Sequence, residues 1–546
     1  MESAINTRIL TIDNTWRNLG MIFKGPHADV SAPKINVVDF VLGDCDAHAT
    51  KTAIIQGETG RRISYQELIQ DVNHVANGLS ASGFGKGDVL AIYSPNLPEY
   101  VSIFIAVMKL GGICTTVNPL YTSDELAKQL KDSNAKLIIT VPAFLDKAQD
   151  AKNKSDAKEI IVIGGADQYR SLNDLMRNDG ESNTSKVDSE NDVCVLPYSS
   201  GTTGLPKGVM LTHYNLIMNM CQTAGMTSHE AIQEKDTVVA VLPFFHIYGM
   251  VVIMLYTLFR RGTMVCMSKF DMEVFLSSVQ KYKITKAPLV PPIILGLAKH
   301  PLVDQYDLSS LELVMSGAAP LGAEVAREAS HRVGCKIAQG YGMTEASPVT
   351  HLTPTNQGDG KIGSLGLPIP NTEVMIVSPE TGQPLNKNEN GEIWIRGPQI
   401  MKGYLNRPDA TKESIDSDGW YHTGDIGYVD DEGYFYAVDR MKELIKYKGM
   451  QVAPAELEAL LLTHEAIADA AVIPVEDEEA GELPKAFVVL KQDQSLNEPD
   501  VMDFVAKRVA PHKKIRIVEF VSQIPKSASG KILRRVLIQQ EREKQN

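Results

Sequence analysis

The hydrophobic and polar positions between residues 64 and 315 alternate between a helical and an extended pattern. Ser64 to Glu67 form a capping box, the apolar residues after it recur at helical spacing, and the apolar run 89–93 is typical of a buried strand. Because strands that alternate with helices form parallel βαβ units, we predict an α/β fold with ligand sites at the carboxyl ends of the strands. The other elements predicted here are a helix at 100–110 and strands at 136–140, 159–163, 193–198, 237–242, 264–267 and 311–315.

The pattern changes twice in the rest of the chain. After Ile362, glycines and prolines separate short β segments, which predicts a β-rich subdomain at about 362–438. Beyond residue 442, helical and extended patterns alternate again over about 100 residues, the size of a separate α+β domain. The elements predicted in these two regions are strands at 372–377, 392–396, 434–438, 470–475 and 486–490, a helix that begins at Pro454, and a helix at 501–508.

Composition and charge narrow the class of protein. A chain of 546 residues is too long for one hydrophobic core, so at least two domains are expected. The 67 acidic and 54 basic residues give a net charge of −13, which argues against a nucleic-acid partner. Six dispersed cysteines without a CxxC pair indicate reduced thiols and suggest neither a disulfide framework nor a zinc site.

The sequence shows no recognisable targeting signal. The N-terminus lacks a basic segment followed by an apolar one, and the apolar run 246–259 is too short to span a bilayer, so it predicts a buried helix. The last residues, 544–546, differ from the peroxisomal Ser-Lys-Leu signal. We therefore expect a cytoplasmic protein without a membrane span.

The strongest local signal is the segment 198–208, where a predicted strand runs into glycines and hydroxyl residues and reaches Lys207. Backbone N–H groups, hydroxyls and one ammonium group together can bind phosphate oxygens. The segment is not a Walker A motif, because Lys207 is preceded by Pro206 and followed by Gly208. The alternative is a flexible surface turn. The candidate phosphate-binding residues are Ser199, Ser200, Gly201, Thr202, Thr203, Gly204 and Lys207.

This segment resembles the phosphate loop of the adenylate-forming superfamily, which contains acyl-CoA synthetases, peptide-synthetase adenylation domains and beetle luciferases. The resemblance covers nearly the whole chain and is greatest to the branch of 4-coumarate:CoA ligases and luciferase. It implies a large N-terminal domain of mostly parallel sheets at 1–439, a hinge at 440–442 and a small mobile C-terminal domain at 443–546. It also implies that ATP, Mg²⁺, coenzyme A and a small carboxylic acid are the molecules bound.

Two further motifs resemble the nucleotide-binding motifs of that superfamily. In the segment 339–345, the resemblance implies that Tyr341 lies along the adenine, Thr344 binds the phosphates and Glu345 helps to hold Mg²⁺. A carboxylate is a suitable hard oxygen ligand for magnesium. In the segment 421–425, it implies that Asp425 accepts hydrogen bonds from both ribose hydroxyls. The remaining nucleotide-binding residues that it implies are Gln339, Gly340, Gly342 and Arg440.

The segment 525–531 resembles the loop that carries the catalytic lysine of adenylation, here Lys531. Attack of a carboxylate on the α-phosphate brings two anions together, and a mobile ammonium group offsets their repulsion. Without the surrounding motifs, Lys531 would be interpreted as a solvated surface lysine. Lys442 resembles the residue about which the small domain rotates.

The resemblance also implies an acyl site and a coenzyme A site. His246, inside an apolar run, is where the acyl carbonyl meets the thiol, as an orienting group or a base; a single buried histidine is otherwise more often structural. The small domain contacts the pantetheine arm through Lys448 and Gly449. The residues that line the acyl pocket are Tyr248, Gly317, Ala318, Gly340, Gly342, Pro348 and Val349.

Four functions remain to be compared. A thioester-forming ligase needs nucleotide motifs, a mobile C-terminal domain and a coenzyme A face, and the sequence has all three. A luciferase shares them, but Asn219 stands where beetle luciferases carry an arginine, and the peroxisomal tripeptide is missing. A peptide-synthetase module should continue into a carrier domain. A nucleotide sensor without catalysis should have lost Lys531, Glu345 or Asp425, and all three are present.

Substrate and assembly are the last expectations. Hydroxycinnamates are the first choice of acid and medium-chain fatty acids the alternative. Trp394 replaces the cysteine that plant 4-coumarate ligases carry in the segment 391–397, which separates the chain from the strict plant group. We expect a monomer or a weak homodimer.

Overall fold

The computed structural model describes residues 21–178, 180–182, 186–199, 206–226, 232–355, 361–448, 450–477, 479–527 and 530–545. Two large, mostly parallel sheets form the first part of the chain, a four-stranded antiparallel sheet follows, and a smaller mixed sheet lies in the last part. The α/β fold class predicted from the sequence is therefore confirmed. The boundaries at 439, 442 and 443 stay a prediction.

The eight-stranded sheet is parallel except at one edge, where β19, β9 and β8 pair antiparallel. Its strand order is β19-β9-β8-β4-β3-β5-β6-β7, and its strands are β3 (Val89–Tyr93), β4 (Ile113–Thr116), β5 (Ala135–Thr140), β6 (Glu159–Val162), β7 (Arg170–Ser171), β8 (Val193–Ser199), β9 (Lys207–Thr212) and β19 (Gly403–Tyr404).

The nine-stranded sheet has the order β16-β15-β14-β13-β12-β10-β11-β1-β2, with antiparallel pairs only at its two edges. Its strands are β1 (Thr52–Gln56), β2 (Arg62–Ser64), β10 (Thr237–Ala240), β11 (Thr263–Cys266), β12 (Lys286–Leu289), β13 (Leu313–Ser316), β14 (Lys336–Gly342), β15 (Val349–Leu352) and β16 (Leu367–Pro368).

The two smaller sheets belong to the second half of the chain. The antiparallel sheet contains β17 (Glu373–Val377), β18 (Gly391–Arg396), β20 (Tyr421–Val429) and β21 (Phe435–Arg440) in that order. The last sheet has the order β23-β22-β25-β24, with β26 paired to β25, and its strands are β22 (Ile445–Tyr447), β23 (Met450–Val452), β24 (Ile467–Asp477), β25 (Gly481–Leu490) and β26 (Ile517–Phe520).

The helices fill the space between and around the sheets. They are α1 (Val37–Leu42), α2 (Tyr65–Ala81), α3 (Pro98–Lys109), α4 (Ser123–Ser133), α5 (Leu145–Asn153), α6 (Leu172–Met176), α7 (His213–Ala224), α8 (Tyr256–Phe259), α9 (Met272–Tyr282), α10 (Pro291–Lys299), α11 (Ala323–Val333), α12 (Pro408–Ser414), α13 (Pro454–Leu461), α14 (Glu498–Ala506) and α15 (Arg534–Gln545).

Helix α3 packs between the two large sheets. It is apolar around nearly its whole circumference, because it contacts β1 of the nine-stranded sheet and β3 and β4 of the eight-stranded sheet. The apolar run 246–259 is also buried, as a π-helix at Tyr248–Leu255 that continues into α8. Over the described part of the chain, we find no helix with the length and apolar character needed to cross a bilayer.

Candidate active site

The predicted site residues gather where strands of the two large sheets end. Ser199 ends β8 of the eight-stranded sheet, and Gly317 directly follows β13 of the nine-stranded sheet. Gly342 ends β14, the neighbour of β13. The carboxyl ends of parallel strands carry the ligand sites in α/β folds. The structure therefore brings the phosphate-loop strand and the second nucleotide motif to one place.

Glu345 joins the two sheet edges. Its buried carboxylate accepts hydrogen bonds from the Ser199 hydroxyl at 3.0 Å and from the Tyr404 hydroxyl at 2.9 Å. The Lys207 ammonium lies 4.6 Å from the centre of the Tyr404 ring. A carboxylate, an ammonium group and two hydroxyls thus lie together beside the end of β8, where phosphate binding is predicted. Ser200, Gly201, Thr202, Thr203 and Gly204, also predicted here, lie outside the described residues.

Few protein side chains near Glu345 could bind a metal ion. Within the described ranges, no group of three or more histidine, cysteine, aspartate or glutamate side chains is arranged to hold a metal ion. Glu345 is a single carboxylate beside the predicted phosphate site. That arrangement suits Mg²⁺, which is commonly held by one or two carboxylates together with the phosphates of the substrate.

Tyr341, Asp425 and Arg440 form the second part of the site. The Tyr341 hydroxyl donates to Asp425 Oδ2 at 2.6 Å, and Arg440 Nε lies 3.3 Å from Asp425 Oδ1. Burial, and next the charge of Asp425, hold the pKa of Tyr341 well above its usual value, so the phenol keeps its proton and remains a donor. Strand pairing aligns Asp425 of β20 with Arg440 of β21, which fixes their separation.

Lys531 reaches this site from the C-terminal part of the chain. Burial, and next the positive charge of Arg440, lower its pKa, while Asp425, Glu345 and Glu443 act in the opposite direction. The loop closes on itself, because Ser527 N donates to the Lys531 carbonyl at 2.8 Å and Lys531 N donates to Ser527 Oγ at 3.1 Å. The structure thus places Lys531 near charged groups of the nucleotide motifs, and its role in adenylation stays a prediction.

The loop of Lys531 packs directly on the large domain. A Cβ atom added to Gly530 would lie 3.3 Å from side-chain atoms of Pro292 and Val290, and its φ is +78°. Glycine therefore permits both the close approach and the left-handed backbone. Lys526, at the base of the loop, donates to both carboxylate oxygens of Asp469 at 2.9 and 2.6 Å.

The predicted hinge and coenzyme A residues lie in different surroundings. Lys442 is exposed in a turn in which Glu443 N donates to the Arg440 carbonyl at 2.9 Å. Lys448 is also exposed and pairs with Glu479 at 2.8 Å, and the hydrogen bond to Glu479 raises its pKa. The groups with the largest effect on the pKa of Lys448 are Glu479, Tyr447 and Asp477, which all belong to the C-terminal part. Gly449 lies outside the described residues.

His246 lies in the loop that follows β10, where two buried polar residues hold the backbone. Asn96 donates to the Leu242 carbonyl at 2.8 Å and accepts from Phe244 N at 2.8 Å. Thr116 donates to the Phe245 carbonyl at 2.9 Å. Burial, and next the charge of Lys531, lower the pKa of His246 to about 3, so its ring is neutral near pH 7. A neutral imidazole with this low pKa can orient a group but is a weak base.

Tyr248 and Gly317 form one wall of the predicted acyl pocket. The Tyr248 hydroxyl donates to the Met315 carbonyl at 2.9 Å, which fixes the ring. A Cβ atom at Gly317 would lie 2.8 Å from that ring, so glycine is needed for the ring to pack there. Ala318, next to it, has a φ of +72°.

Gly340, Gly342, Pro348 and Val349 form the predicted acyl wall, which lies on β14, the neighbour of β13, and on the segment that folds back against it. A Cβ atom at Gly342 would lie 2.1 Å from the Pro348 carbonyl oxygen, and one at Gly340 would lie 3.0 Å from the Leu352 side chain. Both glycines therefore let β14 and the segment after it approach closely. Pairing of β13 with β14 places the segments of Gly317 and Gly340 side by side, and a common acyl pocket lined by all seven residues stays a prediction.

Two residues of the second nucleotide motif have mainly backbone surroundings. The Gln339 amide accepts from Leu321 N at 3.1 Å and donates to the Leu321 carbonyl at 3.3 Å, so this side chain holds the loop before α11. Thr344 begins a short 3-10 helix at Thr344–Ala346. Their contacts with a nucleotide stay a prediction.

Several residues that shape the site were not predicted from the sequence. Asn219 donates to the Val349 carbonyl at 2.8 Å and accepts from Val349 N at 3.1 Å, which fixes the backbone of the acyl wall. Asn96, Glu392 and Tyr404 likewise act through side chains that meet distant segments. Their sequence signal is a polar residue among apolar neighbours, which does not reveal the distant partner.

Comparison with known proteins gives matches over almost the entire chain. The family model described as "AMP-binding enzyme" matches residues 43–405, and "AMP-binding enzyme C-terminal domain" matches residues 456–531. 4-Coumarate–CoA ligase 1 of Petroselinum crispum is 44% identical over 523 residues, which cover 95% of this chain and 96% of that protein. 4-Coumarate–CoA ligase of Vanilla planifolia is 45% identical over 528 residues, with 95% and 96% covered.

Solved structures agree with these matches. ATP-bound MatB from Rhodopseudomonas palustris superposes with a TM-score of 0.84 at 30% identity, covering 92% of this chain and 98% of that one. The anthranilate CoA ligase AuaEII in complex with anthranoyl-AMP gives a TM-score of 0.85 at 28% identity, with 93% and 98% covered.

Proposed function

The chain belongs to the family of AMP-binding, adenylate-forming enzymes, in the branch of the 4-coumarate–CoA ligases, and on that premise we propose that it is an ATP-dependent ligase joining 4-coumarate or related hydroxycinnamates to coenzyme A. The observation that carries the proposal is the convergence of Lys531 with Asp425, Arg440 and Glu345. An ammonium group among nucleotide-binding side chains suits the activation of a carboxylate by ATP. The names of the relatives support the thiol acceptor and the acid.

In the first half-reaction, a carboxylate oxygen of the acid attacks the α-phosphorus of ATP, and the bond to the leaving pyrophosphate breaks. Lys531 lies between the two anions and stabilises the charge that develops on the phosphate oxygens. Asp425 accepts the ribose hydroxyls, while Tyr341 lies along the adenine. Bound through Glu345 and the phosphate oxygens, Mg²⁺ would neutralise phosphate charge.

In the second half-reaction, the thiol loses its proton to solvent and its sulfur attacks the acyl carbonyl carbon. The bond between that carbon and the phosphate oxygen breaks, and AMP leaves. His246 orients the thiol as a neutral ring, since its pKa of about 3 makes it a poor base. The C-terminal domain rotates about Lys442 and brings Lys448 and Gly449 to the pantetheine arm. The exposure of Lys442 and Lys448 in the present conformation supports this assignment.

The acyl pocket supports a flat aromatic acid. Tyr248 supplies an aromatic ring, and the small residues Gly317, Ala318, Gly340 and Gly342 would leave a flat slot beside it. A planar cinnamoyl group needs a thin slot of this kind, whereas a flexible alkyl chain gains less from it.

The organisation of the chain is part of the same proposal. We infer an N-terminal domain at 1–439 with its β-rich subdomain at about 362–438, a hinge at 440–442 and a mobile domain at 443–546. We also infer a monomeric or weakly dimeric enzyme of the cytoplasm. The six cysteines support a reducing compartment, because all are free thiols.

A panel of acids tests the proposal. Pyrophosphate release is measured with 4-coumarate, other hydroxycinnamates and dodecanoate, each with and without coenzyme A. We expect hydroxycinnamates to give the highest kcat/KM, and coenzyme A to convert a single burst of pyrophosphate into continuous turnover. Higher kcat/KM with dodecanoate would show that the acid is misassigned, and turnover that does not respond to coenzyme A would exclude the thiol acceptor.

A further inference from the structure

On its β18 side, strand β20 carries a bulge next to Asp425, which stays paired with Arg440 of β21. Trp394 of β18 pairs with His422, and Glu392, two residues earlier, pairs with Ile426. Three residues of β20, at 423–425, therefore face the single residue Ile393. A bulge of this kind leaves backbone groups without their ladder partners and turns a side chain in a new direction.

The side chain of Glu392 occupies this bulge. Its Oε1 accepts a hydrogen bond from Gly424 N at 2.8 Å, and its Oε2 accepts one from the indole Nε1 of Trp394 at 2.8 Å. Glu392 is 9% exposed, and each of its two oxygens has a donor. The Trp394 ring stacks on His422, with 3.8 Å between centroids and an angle of 13° between planes.

The threonine of the bulge completes the arrangement. Thr423 Oγ1 donates to the Ile393 carbonyl at 2.7 Å and accepts from Asp425 N at 3.0 Å. Gly424 has a φ of +71°, a conformation that favours glycine. The backbone on both sides of Gly424 is thus fixed by side chains, and Glu392 supplies the acceptor that β18 itself cannot offer.

Asp425 is the residue whose direction depends on this bulge. Its carboxylate meets the Tyr341 hydroxyl at 2.6 Å and Arg440 Nε at 3.3 Å. If Gly424 N lost its acceptor, the turn would relax toward the regular ladder and Asp425 would shift with it. A shift of about 1 Å in a positioning contact can cost roughly a hundredfold in rate.

We propose that Glu392, oriented by Trp394, is a positioning residue that sets the Asp425 carboxylate for the two ribose hydroxyls of ATP. The inference rests on the proposed function, because it takes Asp425 as the ribose-binding group. Glu392 itself touches no substrate. It acts through the Gly424 backbone, and Trp394 acts through Glu392.

The test compares ATP with 2′,3′-dideoxy-ATP in the adenylation half-reaction of the full-length enzyme. The preference for ATP measures the ribose contact alone, since the two nucleotides share all other groups. In Glu392→Gln, the amide NH₂ must face one of the two donors. We expect its preference for ATP to fall at least about fivefold through a higher KM for ATP, with kcat/KM for the dideoxy nucleotide nearly unchanged. Trp394→Phe keeps an aromatic ring stacked on His422 but removes the indole N–H donor. Its preference for ATP should also fall, by a smaller factor.

The controls separate this inference from the proposal beneath it. Glu373→Gln, on the adjacent strand β17, loses an ion pair to Arg396 but should keep the wild-type preference. Asp425→Ala should lose the preference entirely. An equal loss with both nucleotides in Glu392→Gln overturns the positioning role while leaving Asp425 as assigned. A wild-type preference in Asp425→Ala overturns the ribose role and the inference together. Where Glu392→Gln fails to fold, Trp394→Phe decides by the same criteria.

Discussion

At the scale of single residues, two lysines of the C-terminal part have contrasting surroundings. Lys531 lies among Asp425, Glu345 and Arg440, whereas Lys448 is exposed and paired with Glu479. In the proposed mechanism, the Lys531 charge is needed only while the adenylate forms. Lys531→Ala should therefore slow adenylation by about 10²–10³, the usual cost of removing a group that stabilises transition-state charge. Given pre-made acyl-adenylate, the same variant should form the thioester at a nearly normal rate.

The measurement is a single-turnover assay of each half-reaction, because steady-state rates mix the two steps. Lys448→Ala should show the reverse behaviour, with normal adenylation and weaker use of coenzyme A. Lys507→Ala, which removes an exposed lysine of the same domain, serves as the matched control and should alter neither step. Should Lys531→Ala lose transfer from the pre-made adenylate as severely as adenylation, one fixed active site becomes the better account.

The sequence predicted the charged site residues better than the ones that hold them. Asp425 and Lys531 belong to motifs that can be identified from their sequence of residues, and the structure places the two residues near each other. Asn219 and Glu392 act on backbone groups 130 and 32 positions away, at Val349 and Gly424. Such partners depend on tertiary packing, which no local pattern of one sequence encodes.

At the scale of elements, helix α7 connects the core to the acyl wall. Asn219, 1% exposed on this helix, makes two hydrogen bonds to the backbone of Val349. Asn219→Ala leaves buried N–H and C=O groups without partners, at a cost of about 1–3 kcal/mol each. We expect the Tm to fall by roughly 5 °C and the KM for the acid to rise more than the KM for ATP.

Cys221→Ala on the same helix is the matched control, because the half-buried Cys221 side chain is not hydrogen-bonded to Val349. It should keep both KM values close to wild type. Equal increases in the KM for acid and ATP in Asn219→Ala would mean that the helix stabilises the fold without shaping the acyl pocket.

Strands could be predicted from the sequence where they are buried, because a buried strand is a continuous run of apolar residues. The run 89–93 is strand β3 with the bounds predicted, and the capping box at Ser64 begins α2. The segment 421–425 was predicted only as a motif, although it begins strand β20. Its glycine and hydroxyl residues do not read as a strand, since the bulge replaces ladder bonds by side-chain bonds. Register therefore had to come from the structure.

At the scale of the whole molecule, buried neutral histidines make stability depend on pH. Burial lowers the pKa of His213 to about 4 and that of His351 to about 3, and both side chains are fully buried. In the unfolded chain each has a pKa near 6.5, so below that pH the unfolded state binds more protons. The free energy of unfolding should therefore fall as pH drops below about 6.5, by roughly 1.4 kcal/mol per pH unit for each histidine.

The contribution of His351 can be isolated by substitution. Urea unfolding of wild type and His351→Leu is compared at pH 7.5 and 5.5, and the variant should lose about 1.3 kcal/mol less over this interval. His74→Gln, at an exposed position, should follow the wild-type dependence. An unchanged pH dependence in His351→Leu would show that the pKa of His351 is the same in the folded and the unfolded chain.

The proposed rotation of the C-terminal domain needs a change of backbone angles at Lys442. This residue is exposed and has a negative φ in the present conformation, in which Lys531 lies near Asp425, Glu345 and Arg440. Proline fixes φ near −65°, so Lys442→Pro should hold the domain in the adenylating pose. We expect adenylation to stay within a few-fold of wild type and thioester formation from pre-made adenylate to slow by at least about tenfold.

Lys442→Ala removes the side chain but keeps the backbone free, and it should transfer the acyl group normally in the same single-turnover assay. Equal losses in both half-reactions of Lys442→Pro would mean that the junction is merely disrupted, and normal transfer would place the pivot at another residue.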